Sequence, residues 1–236
     1  MTLCVFAAVR SELTLLISLC HAVRRNGPGG LHQEVYEGRA GGKNVTLAVV
    51  GVGLGSAALS IGSLLGVLAP RAAFMVGSAG ALPGSGLETG DLLVCESEIL
   101  AELGVVRGPG IGDARPLVLP GVRQEIPLDP GLSAALFRAG SVVGRVKKGP
   151  ALTVVGVSAG ARVAETRAER FGAMAENMEG YALALAGRRF GVPVGEIRGI
   201  SNPAGDRDRD HWDFKAAREG VQRAVMEYLR SVPCRA

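Results

Sequence analysis

The sequence predicts an α/β fold built on a central sheet, and three observations carry that prediction. Short apolar runs rich in Val, Leu and Ala alternate with stretches of helical spacing along the chain, the pattern of strands joined through helices. Asn44 to Pro70 holds no charged residue, yet Gly51, Gly53, Gly55, Gly62 and Gly66 interrupt it. A buried strand, a glycine turn and a buried helix explain that stretch better than a membrane span does. Glycine supplies 35 of 236 residues without a collagen period, about twice its usual share of roughly 7%, so many tight turns are expected. With neither an internal repeat nor a linker, residues 1–236 read as a single domain.

The elements follow in order. Leu3 to Val9 is an apolar strand, and Ser11 is placed to cap a helix running through Leu13, Leu15, Leu16 and Leu19. Leu31 to Tyr36 and Val45 to Val50 read as strands around a Gly41-Gly42 turn. Gly51 to Gly55 leads into a helix over Ala57 to Leu68, closed by Pro70. Ala72 to Val76 is a strand ending at Gly77-Ser78-Ala79-Gly80, and Leu92 to Val94 follows the Thr89-Gly90-Asp91 turn. Gly104 to Pro130, rich in Gly and Pro, is expected to hold loops. Beyond it, Leu132 to Phe137 reads as helix, with Ser141 to Val146 and Ala151 to Val157 as strands. Ala161 to Phe171 and Met178 to Arg189 read as helices, Val194 to Ile200 as a strand, and Trp212 to Leu229 as a terminal helix.

Composition excludes several classes. Hydrophobic residues make up 47% and charged residues 20%, which is too apolar for a disordered chain. The net charge of +4 comes mostly from Arg, with only Lys43, Lys147, Lys148 and Lys215 beside it. No basic stripe with interleaved aromatics appears, so nucleic acid is not an expected partner. Cys4, Cys20, Cys95 and Cys234 lack disulfide or zinc spacing, and the chain reads as reduced and cytoplasmic. No leader-like N-terminus and no membrane association are expected.

In open α/β folds, ligands sit beyond the strand ends, so the strand-end loops supply the candidates. Gly51-Val52-Gly53-Leu54-Gly55 is GxGxG rather than GxGxxG, which argues against a dinucleotide, and no Walker loop is present. Glu179 opens an apolar helix where a carboxylate is costly to bury. Glu12 directly follows a buried strand. Each reads either as a first-turn acid favoured by the helix dipole or as a working carboxylate.

Taken together, these pieces resemble the purine nucleoside phosphorylase and nucleosidase superfamily. Ala7 to Leu16, Gly77 to Leu82 followed by Gly90-Asp91, and Asn177-Met178-Glu179-Gly180 are similar to its motifs and occur in its order. The resemblance implies a three-layer α/β/α fold with a central mixed sheet, a small-molecule nucleoside substrate, no cofactor, no metal and a homo-oligomer. It also implies Glu12 as the general base for water, Glu179 as acceptor from the ribose hydroxyls, and Asn202 as the group reading the purine. Ser78, Ala79, Gly80, Asn177, Met178 and Ser201 would contact substrate.

Glu196 to Asn202, continuing through Gly205 to Trp212, resembles the subfamily that hydrolyses futalosine to hypoxanthine and dehypoxanthine futalosine, in a route to menaquinone. The resemblance places an Asp at the Asn202 position in adenine-specific nucleosidases. An amide can donate to a 6-oxo group and accept from a protonated N7, so Asn there favours hypoxanthine. Phosphorolysis is disfavoured because no Gly-Asp-Pro-x-Arg loop joins Arg10 and Glu12 would repel phosphate. The benzoate of futalosine implies a cationic subsite, for which Arg207, Arg209 and Arg107 are candidates. His211 and Trp212 remain unassigned.

Overall fold

The computed structural model describes residues 2–27, 33–106, 114–116 and 119–231. Its strands are β1 (Thr2–Ala7), β2 (Val23–Arg25), β3 (Glu34–Ala40), β4 (Lys43–Val49), β5 (Ala72–Ala81), β6 (Leu92–Leu100), β7 (Gly104–Val106), β8 (Ala114–Pro116), β9 (Glu125–Pro127), β10 (Val146–Thr153), β11 (Ala175–Asn177) and β12 (Val194–Pro203). The helices are α1 (Thr14–Leu19), α2 (Leu54–Leu68), α3 (Pro130–Val143), α4 (Ala161–Phe171), α5 (Gly180–Phe190) and α6 (Phe214–Ser231).

The main sheet runs β11-β10-β6-β12-β5-β1-β4-β3-β2, with β9 beside β6. It is mixed: β1 is parallel to β4 and β5, β12 is parallel to β5, and β12 is antiparallel to β6. A further antiparallel pairing of β11 with β5 closes five strands on themselves.

The central strands are largely apolar on both sides because both of their faces are covered. Side chains alternate across a strand. Cys4 and Phe6 of β1, Ala73 and Met75 of β5, and Leu93 and Cys95 of β6 therefore pack with Ile61, Leu64 and Leu65 of α2 and with α5. Leu3 and Val5, Phe74 and Val76, and Leu92 and Val94 face the other way, toward Leu13, Leu16, Leu136, Val221 and Val225 of the α1, α3 and α6 side. This is the expected three-layer α/β/α arrangement. A smaller cluster under α4 joins Leu82, Leu152, Val154, Ala164 and Ala204.

Several local expectations change. Ser11 caps nothing: it lies in a 3-10 turn over Arg10–Glu12, and α1 starts after Leu13 without a side-chain cap. Gly77 to Gly80 is not a loop but the second half of β5. Ser141 to Val143 completes α3, whose inward positions Ser133, Leu136, Ala139 and Gly140 keep helical spacing, and Gly144 ends it. β10 accordingly begins at Val146 and stops at Thr153, short of Val157. Asn177 ends strand β11, and the helix expected from Met178 starts at Gly180. Part of the expected Leu31 to Tyr36 strand lies outside the described residues; the strand there runs Glu34–Ala40. Among the described residues no helix is long and apolar enough to cross a membrane.

Candidate active site

The carboxyl ends of β1, β4, β5, β11 and β12 meet at one cavity of about 370 Å3. All of the residues expected at the site line it: Glu12, Ser78, Ala79, Gly80, Asn177, Met178, Glu179, Ser201 and Asn202. Their convergence follows from the topology, because β12 lies beside β5 and β11 also pairs with it.

Glu12 enters from the short turn after β1 and is 4% exposed. Its Oε1 accepts from the Ser78 backbone N–H at 3.0 Å and from the Ser78 hydroxyl at 3.2 Å, and its Oε2 accepts from the Val9 N–H at 3.4 Å. Burial pushes its carboxyl above the ordinary glutamate range; the Ser78 amide and the Arg198 charge oppose that shift, and Glu179 adds to it.

Glu179 stands at the cap position of α5, where the helix dipole favours a carboxylate. Gly53, in the left-handed region at φ 87°, directs its N–H to Glu179 Oε1 at 2.9 Å. The turn first read as a failed dinucleotide loop thus serves this glutamate, and a conformation suited to glycine is what lets it do so.

Asn202 owes its position to a β-bulge. Ile200 pairs with Ala79 and Asn202 with Gly80, leaving Ser201 as the extra residue, and such a bulge re-aims side chains. The Ser201 hydroxyl donates to Asn202 Oδ1 at 2.7 Å, and Asn202 Nδ2 donates to the Pro203 carbonyl at 2.8 Å. One amide hydrogen and one lone pair remain for a ligand.

Asn177 is held from two sides. Its Oδ1 accepts from the N–H groups of Glu179 and Gly180 at 3.0 and 2.8 Å, and its Nδ2 donates to Glu98 at 2.7 Å. While lining the cavity, its amide also braces the start of α5.

Arg198 was not expected at the site. It is 1% exposed, with Nε 2.6 Å from Glu196 and Nη1 3.4 Å from Glu179 Oε2. Burial alone would lower this guanidinium, but the carboxylates of Glu196, Glu179 and Glu98 hold it above the ordinary arginine value. The signal was available: Glu196 and Arg198 stand two apart in an apolar strand, so they share one face and can pair there. Gly77 completes the fit, since a Cβ at that position would lie 2.7 Å from Arg198 Nη1.

At the mouth, Arg207, Trp212 and Phe214 line the cavity, with the Arg207 guanidinium 4.9 Å from the Trp212 ring centre. Arg209 and His211 sit on an exposed 3-10 turn and do not line it, while Arg107 lies outside the described residues. Arg10 turns away to pair with Glu34 at 3.4 Å.

The family model of the phosphorylase superfamily matches residues 2–232. The chain belongs to that superfamily. Among its relatives, the futalosine hydrolase of Thermus thermophilus is 36% identical over 186 residues, covering 76% of this chain and 78% of that protein. The 5'-methylthioadenosine/S-adenosylhomocysteine nucleosidase of Actinobacillus succinogenes is 32% identical over 73% of each chain. The solved futalosine hydrolase of Helicobacter pylori, a mutant form, shares the fold with a TM-score of 0.86, at 20% identity over 98% of this chain and 100% of that one.

Proposed function

We propose that this protein hydrolyses the N-glycosidic bond of futalosine, releasing hypoxanthine and dehypoxanthine futalosine, as a step toward menaquinone. One observation carries the reading: Glu12, Glu179 and the amide of Asn202 line one cavity, whose third carboxylate, Glu176, is already tied to Ser158 and Arg167. The relation to the Thermus thermophilus futalosine hydrolase supports it.

Cleavage passes through an oxocarbenium-like sugar attacked by water. Glu179 accepts from the ribose hydroxyls and is fixed for that by Gly53 and Arg198. Met178 packs on the sugar. Glu12, made more basic by burial, takes the proton from the attacking water. Asn202 donates to the 6-oxo group and accepts from protonated N7 as the base departs. The backbone of Ser78, Ala79 and Gly80, with Ser201, borders the purine and the water.

Water rather than phosphate is the nucleophile in this reading. Glu12 and Glu179 would repel a phosphate, and Arg10, the residue considered for one, is paired with Glu34 at the surface. Arg207 at the mouth is the group we assign to the benzoate. A second reading, an adenine-type nucleosidase, is favoured by the Actinobacillus succinogenes relative and opposed by the amide at Asn202, because a mismatched buried polar group discriminates strongly. We further propose a cytoplasmic enzyme of one catalytic domain that assembles with copies of itself. Leu59 and Val67 of α2, 74% and 55% exposed, present a face for that contact. Incubation with futalosine, inosine and methylthioadenosine, with and without phosphate, tests the reading by identifying the base released.

A further inference from the structure

Behind the cavity wall, and not lining it, lie two carboxyl groups that the reaction described above leaves unused. Glu98 on β6 and Glu196 on β12 are each 0% exposed, and their oxygens lie with the Cys95 thiol within 4.8 Å of one another. Among the described residues, no N–H or O–H reaches Glu196 Oε2, which is buried. Ionised carboxylates only accept, so two of them this close can pair only if one carries a proton.

The surroundings decide which one. Glu196 Oε1 meets the Arg198 guanidinium at 2.6 Å, a contact that favours the anion. Glu98 meets only neutral partners, the Asn177 amide at 2.7 Å and the Thr153 hydroxyl at 2.6 Å. With Glu196 Oε2 left unpartnered, an O–H on Glu98 would supply the missing donor. We propose that Glu98 and Glu196 hold one proton between them, resident on Glu98, and that this pair positions Arg198 and Asn177 against Glu179.

Charge balance points the same way. Arg198 is the cation facing Glu196, Glu98 and Glu179, and three buried anions around one cation are far costlier than two. Burial pushes the Glu98 carboxyl well up, and the charge of Glu196 pushes it further. The groups facing the pair are Cys95 from β6, Thr153 from β10, Asn177 from β11, Arg198 from β12 and, through Arg198, Glu179 at the start of α5. Gly180 seals it: a Cβ there would lie 2.2 Å from Glu98 Oε1 and 2.6 Å from Glu196 Oε1. Through Asn177, the pair also fixes the N–H groups of Glu179 and Gly180. Glu98 is therefore a positioning residue, and the neutral amide of Gln should serve in its place.

The test compares wild type, Glu98→Gln and Glu196→Gln by infrared difference spectroscopy at neutral pH and by futalosine turnover. The wild type should show the carbonyl band of a protonated carboxylic acid. That band should vanish in Glu98→Gln, shift in Glu196→Gln as its hydrogen-bond partner becomes an amide, and persist in a Glu12→Gln control. Glu98→Gln should keep kcat and KM within about threefold, whereas Glu196→Gln should lose at least about tenfold in kcat. Absence of the band from wild type, its survival in Glu98→Gln, or an equal loss of kcat in both variants would overturn the proposal. If Glu98→Gln does not fold, the wild-type band and its shift in Glu196→Gln decide. The kinetic arm rests on the futalosine reading, but the infrared arm does not, so an enzyme inactive on futalosine yet carrying the band would refute only that reading.

Discussion

Ser78 gives both its backbone N–H and its hydroxyl to a single oxygen of Glu12, at 3.0 and 3.2 Å. Oε1 is thereby engaged, while Oε2 holds only a 3.4 Å contact with the Val9 N–H. The carboxylate is locked in orientation with one oxygen left to receive a proton, which is the arrangement a general base needs.

Replacing Glu12 by Gln keeps the shape and the acceptor for Ser78 but removes the base. Turnover should fall by about 10^2 to 10^4, while titration calorimetry with substrate should still detect binding. Full activity in this variant would remove Glu12 from the mechanism.

The pH dependence follows from the same residue. Its carboxyl is raised above 4.5, mainly by burial, and it must be ionised to act. The acid limb of kcat/KM should therefore lie above pH 4.5 in a pH–rate profile. For stability the sign is reversed: a raised pKa contributes most below the ordinary glutamate value, and that contribution is lost as pH rises through the folded value. Glu12→Gln should accordingly gain stability relative to wild type at neutral pH and lose that advantage in acid, as measured by denaturant unfolding at the two pH values.

At the purine end, Asn202→Asp replaces an amide donor by a carboxylate. Competition between futalosine and methylthioadenosine should show the 6-oxopurine preference lost, and unchanged selectivity would refute the role given to Asn202.

A stability prediction concerns the layer behind the site. A Cβ at Gly199 would lie 2.2 Å from the Ala217 carbonyl oxygen, so β12 and α6 approach closer there than any side chain permits. Gly199→Ala should cost about 1–3 kcal/mol or more, visible as a lower midpoint in thermal unfolding.

The long elements were legible in the sequence because most are buried apolar runs, and α4 is an amphipathic stretch set between Gly160 and Gly172. Ala161–Phe171 was readable residue for residue. β2, β9 and β11 were not, being three residues each and partly polar. Ser141 to Val143 misled because Val favours strands, while the buried positions earlier in α3 decide the matter. The nine expected site residues were reached through a resemblance to known motifs; composition and spacing alone left Glu12 and Glu179 ambiguous. What escaped was the support behind them. Arg198, Glu196 and Glu98 are far apart in sequence from Glu12, and only the pairing of β6, β12 and β5 brings them together.

The most direct test is to incubate purified protein with futalosine in phosphate-free buffer and identify the released base. Hypoxanthine, formed without phosphate and faster than adenine from methylthioadenosine, is the predicted result. A strict phosphate requirement, or adenine release from methylthioadenosine as the fastest reaction, would contradict the account.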